Sequence, residues 1–313
     1  FFSLLTYGLV TEYFPNCIRS GLRDIAKQEY GYKANRSDIH LRDALMKVPE
    51  RLARNVDVRK IFIDIGFTQL QKLYAKREEA ISAGLLVQQP DDFVPASIRV
   101  GEDTVKVQLR LKGVWIDHLD KDKWSFRIHP KGGGQLFGMR RFSIQHPATR
   151  GYQGEVIFHE TLRQFGVLTP RYSFLDVVIN GDDVGIMALE EQFSKELLER
   201  HGRKEGVIVR FDESLLWNER LGSDKGKRDE LFNSFLNTSL DSFQSSKIKK
   251  SEYLYSMYEL AVGLIRGFNS GYLKASEVFD AEQLGRYLGV AEFWGAWHEV
   301  IWHNQRFYLN PLT

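Results

Sequence analysis

The sequence predicts an α+β fold. Between residues 105 and 191, short runs of alternating apolar and polar residues are punctuated by glycine turns. One stretch of helical spacing, 154–165, interrupts those runs, and the carboxy-terminal part of the chain is patterned mostly as helix.

The elements follow in chain order. The opening FFSLLTYGLV is apolar for about half the length of a membrane-spanning helix, so it reads either as the remnant of a membrane anchor lying before residue 14 or as a buried amino-terminal helix. Ser37 is placed to cap a helix over 38–55, interrupted near Pro49. Ile61, Ile63 and Ile65 alternate as a strand, a charged helix covers 68–83, and 90–95 reads as a connector. Strands are expected at 105–111, 125–129, 141–145, 172–179 and 184–189. Lys131 to Gln135, KGGGQ, lacks the G-K-[ST] ending of a phosphate-binding loop and reads as a hairpin turn. Residues 242–251 are polar and lysine-containing, a candidate loop. Leu284, Tyr287, Leu288, Ala291, Trp294 and Trp297 share one face of a helix whose tryptophans are expected in a core.

Composition narrows the function. A net charge of +2 offers no clustered basic face, so no nucleic acid is expected as a partner. The lone Cys17 excludes an internal disulfide framework and a cysteine-rich metal site. Histidines are dispersed without H-E-x-x-H spacing, which speaks against a zinc enzyme, and Ser143 and Ser173 lack a nucleophile-elbow context.

The order strand, glycine turn, strand, strand, helix, strand, strand is that of a protein-kinase-like amino lobe, although many mixed domains share it. Particular residues go further. L-R-L-K-G-x-W at Leu109, K-W-S-F-R-I at Lys123, F-G-M-x-R-F-S-I-Q-H-P at Phe137, G-V-L-T-P-R-Y at Gly166, I-N-G at Ile179, G-I-M-A-L-E-E at Gly185 and H-E-V-I-W-H-N-Q-R-F-Y-L-N-P at His298 together resemble the CotH kinase family of spore-coat-type atypical kinases. The resemblance implies a two-lobed kinase-like fold with an antiparallel sheet in the amino lobe, a mainly helical carboxy lobe floored by the helix around Trp294, and a helical amino-terminal extension. The corresponding division is 1–90 for the extension and 91–313 for the kinase-like domain.

Phosphoryl transfer needs cations around a triphosphate, oxygen ligands for Mg2+ and a carboxylate to take the proton of the attacking hydroxyl. Arg127 and Arg141 lie on the polar faces of two apolar strands, and the resemblance implies that they bind ATP phosphates; Lys123, which with Lys112 borders the Gly113 turn, joins them. Glu155, in the first turns of the short helix, is either the acidic partner of such a cation or a carboxylate favoured by the helix dipole. Glu190 and Glu191 end the strand leading into the expected hinge, where the main chain of 188–192 is implied to meet adenine; Glu191 completes the nucleotide set. Kinases place a catalytic Asp five residues before a magnesium-binding Asn. Here Glu299 stands five residues before Asn304, which assigns Glu299 as base and Asn304 as metal ligand, with Glu where the family pattern carries Asp. The family's further magnesium-binding Asp is expected beyond residue 313, the chain being a fragment at that end.

Two readings result. One is an ATP-dependent kinase acting on a hydroxyl of a protein or surface glycan. The other is a catalytically weak binding or scaffold module in envelope or surface assembly, favoured by the Glu299 departure.

Overall fold

The computed structural model describes residues 58–119, 123–217 and 238–312. The helix expected over 38–55 and the apolar start of the chain lie outside them. Among the described residues no helix is long and apolar enough to cross a membrane.

Seven strands close into a barrel. β1 (Lys60–Ile65), β2 (Val94–Val100), β3 (Asp103–Leu111), β4 (Phe126–Pro130), β5 (Phe142–Gln145), β6 (Tyr172–Ile179) and β7 (Asp182–Glu191) are hydrogen-bonded in the order β1-β2-β3-β4-β5-β7-β6. Alternation decides the interior: Ile61, Ile63 and Ile65 of β1, Val107, Leu109 and Leu111 of β3, Phe126 and Ile128 of β4, and Phe142 and Ile144 of β5 all enter one buried cluster. α1 (Phe67–Ala83) adds Leu73 and Ala80 to that cluster and stops at Gly84, whose φ of 77° is the left-handed conformation that favours glycine at a helix end. β6 and β7 are joined by Asn180 and Gly181, both at positive φ (51° and 93°), the two-residue turn that suits a twisted hairpin.

Beyond β5, α2 (Gly154–Gln164) precedes β6, and α3 (Lys195–Arg200) follows β7. β8 (Ile208–Phe211) is the centre of a second sheet, flanked by β9 (Leu240–Ser242) and β10 (Arg306–Tyr308). The helices around it are α4 (Ser245–Ile248), α5 (Glu252–Asn269), α6 (Ala275–Val278), α7 (Ala281–Phe293) and α8 (Trp297–Val300). Leu254, Met257, Ala261 and Ile265 of α5 pack on Val209 and Phe211. α7 meets α2 through Val290 and Ala291 against Phe158 and Leu162, and Trp294 Nε1 donates to Thr161 Oγ1 at 3.0 Å.

This corrects the expected two-lobed fold with an antiparallel sheet and a helical second lobe. β1 runs parallel to β6, with Lys60 opposite Asp176 and Ile63 opposite Ile179, so the sheet is mixed and closed. The physical reason is that β1, an isolated strand by its local pattern, satisfies its edges with β2 on one side and β6 on the other. The carboxy-terminal part, expected to be mainly helical, also contains a three-stranded sheet of its own, and α7 lies against α2 instead of flooring a lobe. Two local expectations change as well. The connector 90–95 runs into β2, where Pro95 occupies the second position opposite Gln108, and the loop expected at 242–251 contains the end of β9 and all of α4. The strands expected at 105–111, 125–129, 141–145, 172–179 and 184–189 all fall within two residues of those bounds, whereas β8, β9 and β10 were not expected.

Candidate functional site

A cavity of about 1540 Å³ opens between the outer face of the barrel and the segment 294–306. The barrel supplies Lys112, just past β3, Arg127 of β4 and Glu190 of β7; the turn at Pro147–Arg150 supplies Arg150, and the first turn of α2 supplies Glu155. Opposite them stand Arg210 of β8, Glu299 of α8, Asn304, and Arg306 of β10.

Charge in this cavity is paired in a definite way. Lys112 Nζ forms an ion pair with Glu190 and donates to Gln145 Oε1 at 2.7 Å. Burial pulls the Lys112 ammonium down to about 8, against the pull of Glu190. Burial resists ionisation of Glu190 too, yet Lys112, Arg127 and Arg150 together outweigh it and hold the carboxyl at about 2. Both partners are therefore charged at neutral pH. Arg150 is the hub: burial opposes its charge, but Glu155, Glu190 and Glu299 around it raise its pKa above the ordinary guanidinium value.

Glu299 is the exceptional acid. Its carboxyl is pushed up to about 7, first by burial and then by the negative charge of Glu155, with Arg150 working in the other direction. Its backbone is fixed by Tyr287 Oη, which donates to the Glu299 carbonyl at 2.6 Å. Asn304 Nδ2 donates to the carbonyl of His298 at 2.9 Å and lies 3.0 Å from His298 Nε2. With the amide nitrogen committed, Oδ1 is the Asn304 atom suited to a cation. Glu155 is steadied from behind by His159 Nε2 at 3.2 Å, one helical turn along α2.

Of the residues singled out from the sequence, Arg127, Glu155, Glu299 and Asn304 line this one cavity. Lys123 does not: its Nζ reaches toward the Ile186 carbonyl at 3.4 Å, away from the lining residues. Arg141 is exposed just before β5 and is not part of the lining. Glu191 points the opposite way from Glu190, as successive strand residues must, and is 1% exposed, with Oε1 accepting from Arg171 Nη2 at 2.8 Å and Oε2 from Arg200 Nη2 at 3.2 Å. The expected adenine edge at 188–192 is corrected too. Ala188 to Glu191 is paired with β5 on one side, and the same stretch through Glu190 with β6 on the other, so this backbone is committed to the sheet.

Sequence reasoning missed Arg150 and the pairing of Lys112 with Glu190. Arg150 ends the turn at Pro147–Arg150, where a cation is unremarkable, and the carboxylates that gather on it come from distant segments, so no local signal marked it.

The donor set can be tested against the groups the sequence implied. Arg127 Nε is buried and has no hydrogen-bond partner among the described residues, which fits a phosphate oxygen. No cluster of three or more His, Cys, Asp or Glu suited to a metal occurs among the described residues. Asn304 Oδ1 then fits a magnesium ion that takes its other ligands from phosphate oxygens and water, the common pattern for this ion.

A family model described as CotH kinase protein matches residues 109–311 of the chain. No curated protein matches it significantly.

Proposed function

Since the chain belongs to the CotH kinase protein family, we propose that the cavity transfers the γ-phosphoryl group of ATP to a hydroxyl of a protein or surface-glycan acceptor. The observation that supports this best is Glu299, an enclosed carboxylate with its pKa near 7, in one cavity with Asn304 and the cations Lys112, Arg127 and Arg150.

The geometry supports the following roles. Arg127 and Arg150 bind phosphate oxygens; Lys112, held by Glu190 and Gln145, keeps a positive charge at the cavity wall. Asn304 offers Oδ1 to Mg2+, which when bound neutralises phosphate charge. Glu299 accepts the proton of the acceptor hydroxyl, and a pKa near the working pH is what a general base requires. The negative charge of Glu155 raises the Glu299 pKa and the positive charge of Arg150 lowers it, so the two together tune the base.

A second reading has a specific observation in its favour. Glu stands where the family pattern carries Asp, and its extra methylene displaces the carboxylate by an amount on the order of 1 Å, enough to lower a rate about 100-fold. On that reading the cavity binds without turning over.

Thermal unfolding of the chain with and without ATP and Mg2+, run beside a phosphoryl-transfer assay, separates the two. Ligand at 100 times its Kd adds about 2.7 kcal/mol. Magnesium-dependent stabilisation with transfer that is lost in Glu299→Gln supports the kinase. Stabilisation without transfer supports the binding module, and no stabilisation removes nucleotide from both.

A further inference from the structure

α2 buries a histidine on the side that meets β6. His159 is 7% exposed and lies among aromatic rings, stacked on Tyr172 with centroids 5.7 Å apart and tilted against Phe158 at the same separation. An imidazole in such a place destabilises the fold unless both of its nitrogens are satisfied. Both are: Nε2 lies 3.2 Å from Glu155 Oε1, and Nδ1 lies 2.5 Å from Thr169 Oγ1.

Chemistry fixes the direction of donation. An ionised carboxylate only accepts, so Nε2 carries the proton that it shares with Glu155. A threonine hydroxyl both donates and accepts, so Thr169 partners Nδ1 whether or not the ring is charged. Thr169 is itself held in place. It is 0% exposed, Pro170 restricts its backbone, and its carbonyl accepts at 2.8 Å from Nη2 of Arg200, which also pairs with the buried Glu191. A Glu and a His one turn apart on a solvated helix face need no such anchor.

Glu155 is the residue that this arrangement serves. It lines the cavity from the first turn of α2, and with Oε1 taken by His159 its other oxygen is left for the cavity. α2 packs against α7, which leads into α8 and Glu299, so the wall carrying Glu155 and the segment carrying Glu299 are held together. The charged groups bearing on Glu299 are Glu155 and His159 of α2, Arg150 of the Pro147–Arg150 turn and Glu190 of β7, and Glu299 in turn bears on Arg306 of β10 and Tyr287 of α7. Glu155 and His159 act on it in opposite senses, Glu155 the more strongly.

We propose that His159 is a positioning residue for the base: held at Nδ1 by Thr169, it donates from Nε2 to Glu155 and keeps that carboxylate ionised and fixed in the cavity wall beside Glu299. The imidazole reaches neither the acceptor nor the nucleotide and acts through Glu155. The proposal rests on the phosphoryl-transfer reading only in naming Glu299 as the base.

Two substitutions at this position test it. His159→Met fills the site without a donor, and His159→Gln returns an N–H near the position of Nε2. In His159→Met, Glu155 competes with Glu299 for one proton, so the midpoint of the acid limb in the pH profile of kcat is expected to fall by about one unit, with kcat down about tenfold. KM for ATP stays unchanged, because the phosphate-binding cations are untouched. His159→Gln is expected to restore both properties toward wild type, whereas Glu160→Gln, at an exposed position on the same helix, changes neither. NMR of isotope-labelled glutamate carboxyl carbons, with the Glu299 signal assigned by its absence from Glu299→Gln, reads the same midpoint without turnover. A chain that transfers nothing therefore removes the kinase reading, while a shifted Glu299 signal in His159→Met still upholds the positioning role. Thr169→Val keeps the imidazole but frees Nδ1; it is expected to move the midpoint the same way by less, and is the variant to read if His159→Met does not fold. A lowered melting temperature in His159→Met with the Glu299 midpoint unmoved, or a midpoint that His159→Gln fails to restore, makes the histidine structural and overturns the proposal.

Discussion

Glu299 makes the strongest demand on pH. Its carboxyl rises from the ordinary 4.5 to about 7 in the fold, so the folded chain holds a proton that the unfolded chain releases between those values. Stability from this group therefore falls as pH rises through that window, while the base form needed for transfer accumulates. Glu299→Gln is expected to flatten this slope and to stabilise the chain at pH 8 by on the order of 2 kcal/mol in urea titrations. The same change should lower the transfer rate by about 10²–10⁴. Glu191 is the contrasting acid. Glu191→Ala leaves Arg171 and Arg200 without their shared carboxylate and is expected to cost about 3–5 kcal/mol in stability, read from denaturant midpoints. Spacing made Glu299 and Asn304 legible, because their five-residue separation lies within one short segment. It could not tell Glu190 from Glu191, since the strand pattern places adjacent carboxylates on opposite faces without saying which face meets the cavity. Arg150 was hidden for a related reason: its three carboxylates come from α2, β7 and α8.

At the scale of elements, the β6–β7 turn does more than reverse the chain. Asn180 Oδ1 accepts from the Ile65 amide at 2.7 Å and its Nδ2 donates to the Ile65 carbonyl at 2.9 Å, which ties the end of β1 to the hairpin. Asn180→Ala removes both bonds and puts alanine at a φ of 51°, and is expected to cost about 2–4 kcal/mol, measured by urea unfolding with the secondary structure otherwise unchanged. The close approach of β10 to the chain before β8 gives a second test. A Cβ at Gly206 would sit 2.6 Å from the Leu309 carbonyl oxygen, so Gly206→Ala is expected to displace the carboxy-terminal strand, and with it Arg306 in the cavity, lowering both melting temperature and nucleotide-dependent stabilisation. Strands such as β3 and β4 were legible because one face is buried and the other polar. β2 was not, because Pro95 and a broken alternation obscured a strand that its neighbours on both sides impose.

For the whole molecule, barrel closure decides what the site is. β1 lies between β2 and β6 and contributes three fully or nearly buried isoleucines to the common core. Ile63→Ala is expected to cost about 2–5 kcal/mol and to weaken nucleotide-dependent stabilisation, since Lys112, Arg127 and Glu190 all project from the strands that this core supports. The inward face of most strands, the short helix with Glu155, the spacing of Glu299 and Asn304, and the resemblance to CotH kinases were determined by the sequence alone, because each is carried by local periodicity or by a contiguous motif. The parallel closure of β1 on β6 and the convergence of carboxylates on Arg150 were decided only by the tertiary structure. Those contacts join residues as far as 149 positions apart, as Arg150 and Glu299 are, and both strand closure and a buried charge's environment depend on which distant segments come together, a quantity that no local pattern records.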